Sequence, residues 1–407
     1  MYIGIGKDGP IAGRRVAVTG LGVVSCCGTG AEALWHGLLG EQHKGERVVN
    51  GFNPLDWVGP KEARRLDKYA QYAIAASQMA VDDAQLLDVD PDRAGVVIST
   101  GFGGLETFLE QVNVFNEKGA NRVSPFMIPM LMANAASANV SMRFGWMGPS
   151  ENVVTACAAG THGISHAARM IASGRLDVAI GGGSEASIAP LTVAAFGNMT
   201  ALSQDGMSRP FDKRRSGFVL GEGAGVLLLE EMEHAIARGA HIYAEISGTA
   251  STADAYHITQ PAPDARGAVT CMQMAIADAG LEPSAIGHIN AHGTSTSLND
   301  LAESIAIQKV FGVPSPPVTS TKGITGHTLG AAGAIEAVAT VLSIEKSLIP
   351  PTAGYEINDD EIAIDIVSGS PRQWKPVHAI SNSFGFGGHN GCLVISAVSN
   401  NGSPSAG

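Results

Sequence analysis

One cysteine and two histidines in this chain are spaced and flanked in a way that could do chemistry together. Cys157 sits in Val153-Val154-Thr155-Ala156-Cys157-Ala158-Ala159-Gly160, where a β-branched run stops and a small-residue segment begins. Glu151 to Thr155 is expected to form a short buried strand, and Ala158 to about Ser173 a helix closed by Gly174. The sulfur then lies at a strand-to-helix turn beside helix N–H groups, a setting that lowers a thiol's pKa and favours the thiolate. Elsewhere, a free cysteine is a small packing hydrophobe. His292 ends a strand in Asn290-Ala291-His292-Gly293-Thr294-Ser295-Thr296, and His327 lies in Thr321-Lys322-Gly323-Ile324-Thr325-Gly326-His327. Each is flanked by Gly and Thr at the end of an apolar or β-branched run, where α/β folds place their ligand sites. The chemistry that needs this trio is thioester carbon–carbon bond formation. A thiolate takes an acyl group, and two imidazoles donate hydrogen bonds to the enolate oxygen formed when a malonyl thioester loses carbon dioxide. That chemistry requires neither metal nor nucleotide.

Strand-like and helix-like runs alternate along the whole chain. Strands are expected at 15–19, 95–99, 153–155, 176–180, 225–229, 242–247, 286–290, 362–366, 378–382 and 392–395. Helices are expected at 31–39, 61–83, 269–279, 300–311 and 332–346. The pattern is that of an α/β protein whose central strands are covered by helices on both faces. The helix beginning at Cys157 has an echo near Gly330, in His327-Thr328-Leu329-Gly330-Ala331-Ala332-Gly333-Ala334-Ile335-Glu336. Two similar halves meeting near residue 250 fit this echo: 13–250 with the cysteine and 251–397 with the histidines, followed by a loose tail, 398–407. The segment 1–12 is equally unpatterned.

Composition narrows the class. Hydrophobic residues make up 45% of 407 and charged residues 16%, which describes a globular chain with a large core. Net charge of −12 argues against nucleic acid as the main partner. The five cysteines form no disulfide or zinc framework, and Cys26, Cys27, Cys271 and Cys392 read as packing thiols. Without an apolar run of membrane-spanning length or a signal pattern, the cytoplasm is the expected compartment. Three other signals are set aside. His162 and His166 have the spacing of metal ligands but no third partner. Gly20-Leu21-Gly22-Val23-Val24-Ser25 lacks the last glycine of a dinucleotide loop. Gly181-Gly182-Gly183 reads as a strand-end turn with no phosphate-binding Lys-Ser/Thr.

Thr155-Ala156-Cys157, Asn290 to Thr296, Lys322 to His327 and Asn382-Ser383-Phe384-Gly385-Phe386-Gly387-Gly388 together resemble the β-ketoacyl-[acyl-carrier-protein] synthases, most closely the type II enzymes. The similarity runs from about Arg15 to Ser396, with support from Arg209-Pro210-Phe211-Asp212 and Gly217 to Gly225. The resemblance implies a thiolase-like fold, an α/β five-layer αβαβα sandwich, usually homodimeric. It implies that Cys157 accepts the acyl group, that His292 and His327 drive decarboxylation and condensation, that Lys322 orients or tunes them, and that Glu336 is a supporting acid. The N–H groups of Cys157 and Phe386 would form the oxyanion hole, and Phe386 on its glycine-rich loop would also gate the site. Thr294 and Thr296 would bind the phosphopantetheine arm, which arrives on the acyl carrier protein, so no resident cofactor is implied.

The same resemblance places Phe102, Ile164 and Phe196 along the acyl pocket, and the bulk of Phe102 implies a bias against long primers. Lys61, Arg64, Arg65 and Lys68 at helical spacing, with Lys213, Arg214, Arg215 and Arg122, are the expected docking surface for an acidic carrier protein. The expected activity is decarboxylating two-carbon elongation of acyl chains in fatty acid synthesis. The ketosynthase subunit of a type II polyketide or polyene system and a non-catalytic chain-length subunit remain open beside it. A thiolase fits less well, because the loop that would carry its second cysteine holds Phe384 and Phe386.

Overall fold

The computed structural model describes residues 13–86 and 88–398. The two termini expected to be loose therefore lie outside the described residues, apart from Val398. Ten strands build the main sheet: β1 Val16–Ser25, β2 Ala94–Ser99, β3 Ser150–Glu151, β4 Val178–Glu185, β5 Gly223–Glu231, β6 Ala244–Ala253, β7 Ile286–Asn290, β8 Val318–Thr319, β9 His378–Gly385 and β10 His389–Ser396. Their order is β3-β2-β4-β5-β1-β6-β10-β9-β7-β8, with a short strand, Gly28–Thr29, beside β1. Read outward from the middle, the first five strands and the last five have the same order. Each set has parallel outer pairs and antiparallel inner ones. The internal echo is thus a repeated topology. Within the main sheet the two sets meet where Ala17 and Val18 pair with Glu245 and Ala244. Residue 250, near which the halves were expected to meet, lies inside β6.

Six helices complete the layers: α1 Lys68–Asp83, α2 Ala135–Phe144, α3 Ala159–Ala172, α4 Arg266–Asp278, α5 Ser297–Phe311 and α6 Ala332–Glu345. Helices α3 and α6 lie between the two half-sheets, α1 covers the outer face of the first half and α4 that of the second. This is the five-layer αβαβα arrangement. Helix α6 is almost wholly buried and, apart from Glu336 and the terminal Glu345, apolar or small on every side, as suits a middle-layer helix. A side chain at Gly160 or Gly333 would collide with the facing helix, so glycine there lets α3 and α6 touch. On the outer face, Gly20 and Gly22 let α1 lie directly on β1. That packing accounts for the Gly-Leu-Gly stretch set aside above.

Several expected elements shift. The strand expected at 151–155 ends at Glu151, and Asn152–Thr155 leaves the sheet to carry the chain to Cys157. The helix expected over 61–83 is broken into Pro60–Ala63 and α1, because Asp67 caps α1 by accepting from the Tyr69 N–H at 3.2 Å. Gly181–Gly183 is not a strand-end turn but the interior of β4, where α3 and Gly225 crowd the backbone. The strand expected at 362–366 is reduced to a single bridge between Ile366 and Val318.

Candidate active site

Cys157 sits on a 3-10 turn, Ala156–Ala158, that leads into α3. Ala156 holds a left-handed φ of 49°, a strained conformation for a residue with a side chain. The equivalent turn of the second half repeats it, with Leu329 at φ 48° ahead of Gly330 and α6. The end of β9 approaches this turn closely. A side chain at Gly385 would press on the N–H groups of Cys157 and Ala158. This brings the Phe386 N–H to the sulfur.

The sulfur and one nitrogen of each imidazole, His292 and His327, lie within 4.8 Å of one another, all buried. The rings meet edge to face, with centroids 5.4 Å apart, and His327 rests on Phe218 while His292 faces Phe384. Burial lowers both imidazoles well below their ordinary pKa, and the Lys322 ammonium adds to it, so both rings are neutral. Lys322 is fully buried and donates to His292 Nδ1 at 3.3 Å, to the His292 carbonyl at 2.6 Å and to Glu336 Oε1. An ammonium can only donate, so His292 Nδ1 accepts and its proton resides on Nε2. Burial pushes Glu336 up to about 7 against the pull of Lys322.

The thiol differs from the sequence expectation. Burial pushes Cys157 up to about 11, although the Phe386 N–H and Lys322 pull it down. Loss of water around the sulfur outweighs the peptide dipoles, so the resting group is a thiol and not a thiolate.

Two acids that sequence reasoning missed hold the histidine loop. Glu303 on α5 accepts from the N–H groups of His292 at 2.8 Å and Gly293 at 2.7 Å, and burial pushes it up to about 7. Asp300 accepts from the N–H groups of Phe211 at 2.7 Å and Ser295 at 3.1 Å. Their sequence signal was two acids three apart on the face of α5 that also carries Ala302, Ala306 and Ile307.

The trio opens into a cavity of about 670 Å³ lined from both halves. Phe102, Phe196, Thr294, Thr296 and Phe386 all line it. The hydroxyls of Thr294 and Thr296 lie 2.9 Å apart, and the Phe386 loop turns through left-handed Gly387 and Gly388. Ile164 does not line it. It is fully buried between α3 and β4, because its turn of the helix faces Gly181. His162 bridges Thr155 Oγ1 at 2.7 Å and the Asn390 carbonyl at 3.1 Å, while His166 pairs with Glu151, so the two share no ligand position.

The basic residues separate into two groups. Lys61, Arg64, Arg122 and Lys213 are exposed, as is Arg65, which stacks on Phe126 at 4.2 Å. Lys68 instead turns inward to both Glu222 carboxylate oxygens at 2.9 Å. Arg214 is held by Asp212 and Glu356, and Arg215 is buried against Asp359. Arg214 remains exposed despite its two acidic partners, whereas the Arg215 side chain is buried and Lys68 is only partly exposed.

Comparison with known proteins agrees with this geometry. Residues 46–235 match the family model "Beta-ketoacyl synthase, N-terminal domain" and residues 243–356 match "Beta-ketoacyl synthase, C-terminal domain". The 3-oxoacyl-[acyl-carrier-protein] synthase 2 of Synechocystis sp. is 45% identical over 94% of this chain and 98% of its own. Its Staphylococcus aureus (strain N315) namesake is 43% identical with the same coverage. Among solved structures, the complex of a type II PKS acyl-carrier protein with its ketosynthase bound to the hexaketide matches at TM-score 0.88 and 34% identity. It covers 95% of this chain and 100% of its own. The ishigamide ketosynthase/chain length factor matches at TM-score 0.91 and 34% identity, again over 95% and 100%.

Proposed function

This chain belongs to the beta-ketoacyl synthase family, and we infer that it condenses an acyl group held on Cys157 with malonyl-[acyl-carrier-protein] in fatty acid chain elongation. The carrying observation is one thiol facing two neutral imidazoles at the foot of a single cavity. In the first step Cys157 Sγ bonds to the acyl carbon, the bond to the pantetheine sulfur breaks, and the thiol proton ends on that sulfur. The N–H groups of Cys157 and Phe386 face the oxyanion of the tetrahedral intermediate. In the second step the malonyl group loses carbon dioxide, and its electron pair becomes an enolate. His292 Nε2–H, held in that tautomer by Lys322, and the His327 ring donate to the enolate oxygen. The enolate carbon then bonds to the Cys157-bound acyl carbon, and the Cys157–acyl bond breaks with its electron pair on the sulfur, which takes a proton from solvent to return to the thiol. The product is a 3-oxoacyl chain on the carrier. Two neutral donors suit this task because a protonated imidazole would also hold the departing carboxylate.

An acyl carrier protein is the proposed macromolecular partner, received by Lys61, Arg64, Arg65, Arg122 and Lys213. The proposal involves no resident metal. The Cys157–His292–His327 spacing alone would suit a divalent ion, but the Lys322 ammonium behind His292 repels one. No helix among the described residues is long and apolar enough to cross a membrane, and the cytoplasm is the proposed compartment.

A second copy of the chain is the proposed neighbour. The helix Leu105–Lys118 is turned inside out: polar Thr107 and Gln111 are buried, while Phe108, Val112 and Phe115 are exposed. Such a stripe marks a covered face. Light scattering should give twice the chain mass. A single-chain mass would contradict the homodimer, and doubling only with a companion chain lacking the nucleophile would favour the polyketide reading. The activity is tested by carbon dioxide release and 3-oxoacyl product from acyl- and malonyl-carrier. Cys157→Ala should abolish condensation, and absence of product from the intact protein would refute the assignment.

A further inference from the structure

Glu185, the last residue of β4, is fully buried and sits beside the active site without touching the cavity. Its Oε2 accepts from the Gly101 N–H at 2.7 Å and the Gly330 N–H at 3.1 Å. Its Oε1 accepts from the hydroxyls of Ser187 at 2.6 Å and Thr100 at 3.3 Å. Thr100 Oγ1 in turn accepts from the Gly103 N–H at 3.1 Å. One carboxylate therefore ties together the two segments that flank Phe102 and the strained turn that carries Leu329. Both Phe102 and Leu329 line the cavity. Backbone reaches the carboxylate only because Gly101 and Gly330 lack side chains; a Cβ at either would sit 2.7 or 2.8 Å from Oε2.

Among the described residues no cation hydrogen-bonds to it; N–H and O–H donors hold the charge against burial, which raises its pKa. The charge also works against the nucleophile, since it raises the Cys157 thiol. A carboxylate that opposes thiolate formation in this position contributes through geometry. Phe102 is 46% exposed, and its own N–H joins those that act on the Glu185 carboxylate.

We propose that Glu185 is a positioning residue that sets the acyl-chain length Cys157 accepts, by fixing the Phe102 segment to the Leu329–Gly330 turn. This rests on the condensing function proposed above and names what governs its primer preference. A carboxylate presents two acceptors to four donors. The amide of Glu185→Gln presents one; with its oxygen on the N–H groups of Gly101 and Gly330, its NH2 faces the Ser187 and Thr100 hydroxyls, whose own protons then lose their acceptor. Losing one hydrogen bond to a charged group is worth about tenfold. The ratio of kcat/KM for long over short acyl thioesters should therefore change about tenfold in Glu185→Gln, in the direction seen with Phe102→Ala.

The experiment measures Cys157 acylation by thioesters of graded length in the intact protein, Glu185→Gln, Thr100→Val, Phe102→Ala and the Glu185→Gln/Phe102→Ala double variant. Thr100→Val keeps the charge and the Gly101 and Gly330 ties and removes the hydroxyl's two bonds, to Glu185 and from Gly103, so it should shift the ratio the same way by less. The double variant should match Phe102→Ala alone. In parallel, alkylation of Cys157 against pH should move to lower pH in Glu185→Gln and stay in place in Thr100→Val. The other charged or titratable groups facing the sulfur, Lys322, His292 and His327, are unchanged in both. An unaltered length profile in folded variants, or additive effects in the double variant, overturns the proposal. If Glu185→Gln does not fold, the Thr100→Val profile decides. If the intact protein acylates but never condenses, the proposed function fails while the length profile still judges Glu185.

Discussion

Replacing Lys322 by methionine keeps the volume of the side chain and removes its charge and three hydrogen bonds. Two of those bonds go to His292, and the third goes to Glu336. Without the ammonium, His292 Nδ1 is free to take the proton, and Nε2 ceases to be an assured donor toward the enolate. Loss of one preorganised oxyanion donor costs about 100- to 1000-fold in rate. Condensation should therefore slow by about that factor, with little change in KM, because Lys322 does not line the cavity. Burial and then Lys322 lower His292, so in the variant its pKa rises toward the usual range and activity falls away sooner as pH drops. Glu336 loses the group that pulls it below its burial-raised value and takes up a proton near neutrality. That uptake limits the stability loss to about 3 kcal/mol, the low end for breaking a buried pair. Acylation of Cys157 should slow much less, and raising the pH should restore it, since Lys322 favours the thiolate only by its field. Single-turnover acylation and steady-state condensation, measured on a variant shown to be folded by its melting curve, separate the two steps. Condensation within about threefold of the intact protein would refute the tautomer argument.

Three other outcomes follow from the same structure. Phe102→Ala should lengthen the longest accepted primer, each added methylene being worth about 0.8 kcal/mol once buried, and an unchanged chain-length profile would mean that Phe102 does not bound the pocket. Burial lowers His288 to about 3, and neither ring nitrogen has a hydrogen-bond partner among the described residues. The unfolded chain binds a proton near pH 6.5 that the folded one refuses, so this contribution is complete above that pH. It is lost at about 1.4 kcal/mol per pH unit as pH falls toward 3. His288→Phe should flatten this slope in acid melts, and an identical slope would contradict it. Reversing Arg64 and Arg65 to Glu should raise KM for carrier-bound substrates and spare acylation by small thioesters; equal losses in both would count against docking.

The nucleophile and both histidines were legible because each sits in a local signal, a β-branched run ending in Gly, Thr or small residues. Lys322 followed from the motif around His327. Of the acids behind them Glu336 was legible, but Glu303 and Glu185 were not. Glu303 serves His292 from the next helix, and Glu185 reaches Gly101 and Gly330 across the layers, so their partners are set by folding rather than by spacing. Ile164 was misplaced for a related reason: lying near the cysteine in sequence does not say which side of α3 faces the cavity. The basic run was read as one helix face, but Asp67 restarts the helix within it, and acidic partners at Glu222 and Asp359 draw Lys68 and Arg215 inward. Glycine misled at β4, where three in a row read as a turn but serve as a flat strand under a helix. The repeat itself showed only as an echo at Gly330, since strand order is carried by pairing and not by sequence.

Mass spectrometry of the intact protein and its peptides, after acyl-carrier and then malonyl-carrier are added, tests the central claim most directly. The account predicts an acyl adduct on the Cys157 peptide that disappears on the second addition, with release of carbon dioxide and a product two carbons longer. An adduct on any other residue, or one on Cys157 that malonyl-carrier never discharges, would contradict it.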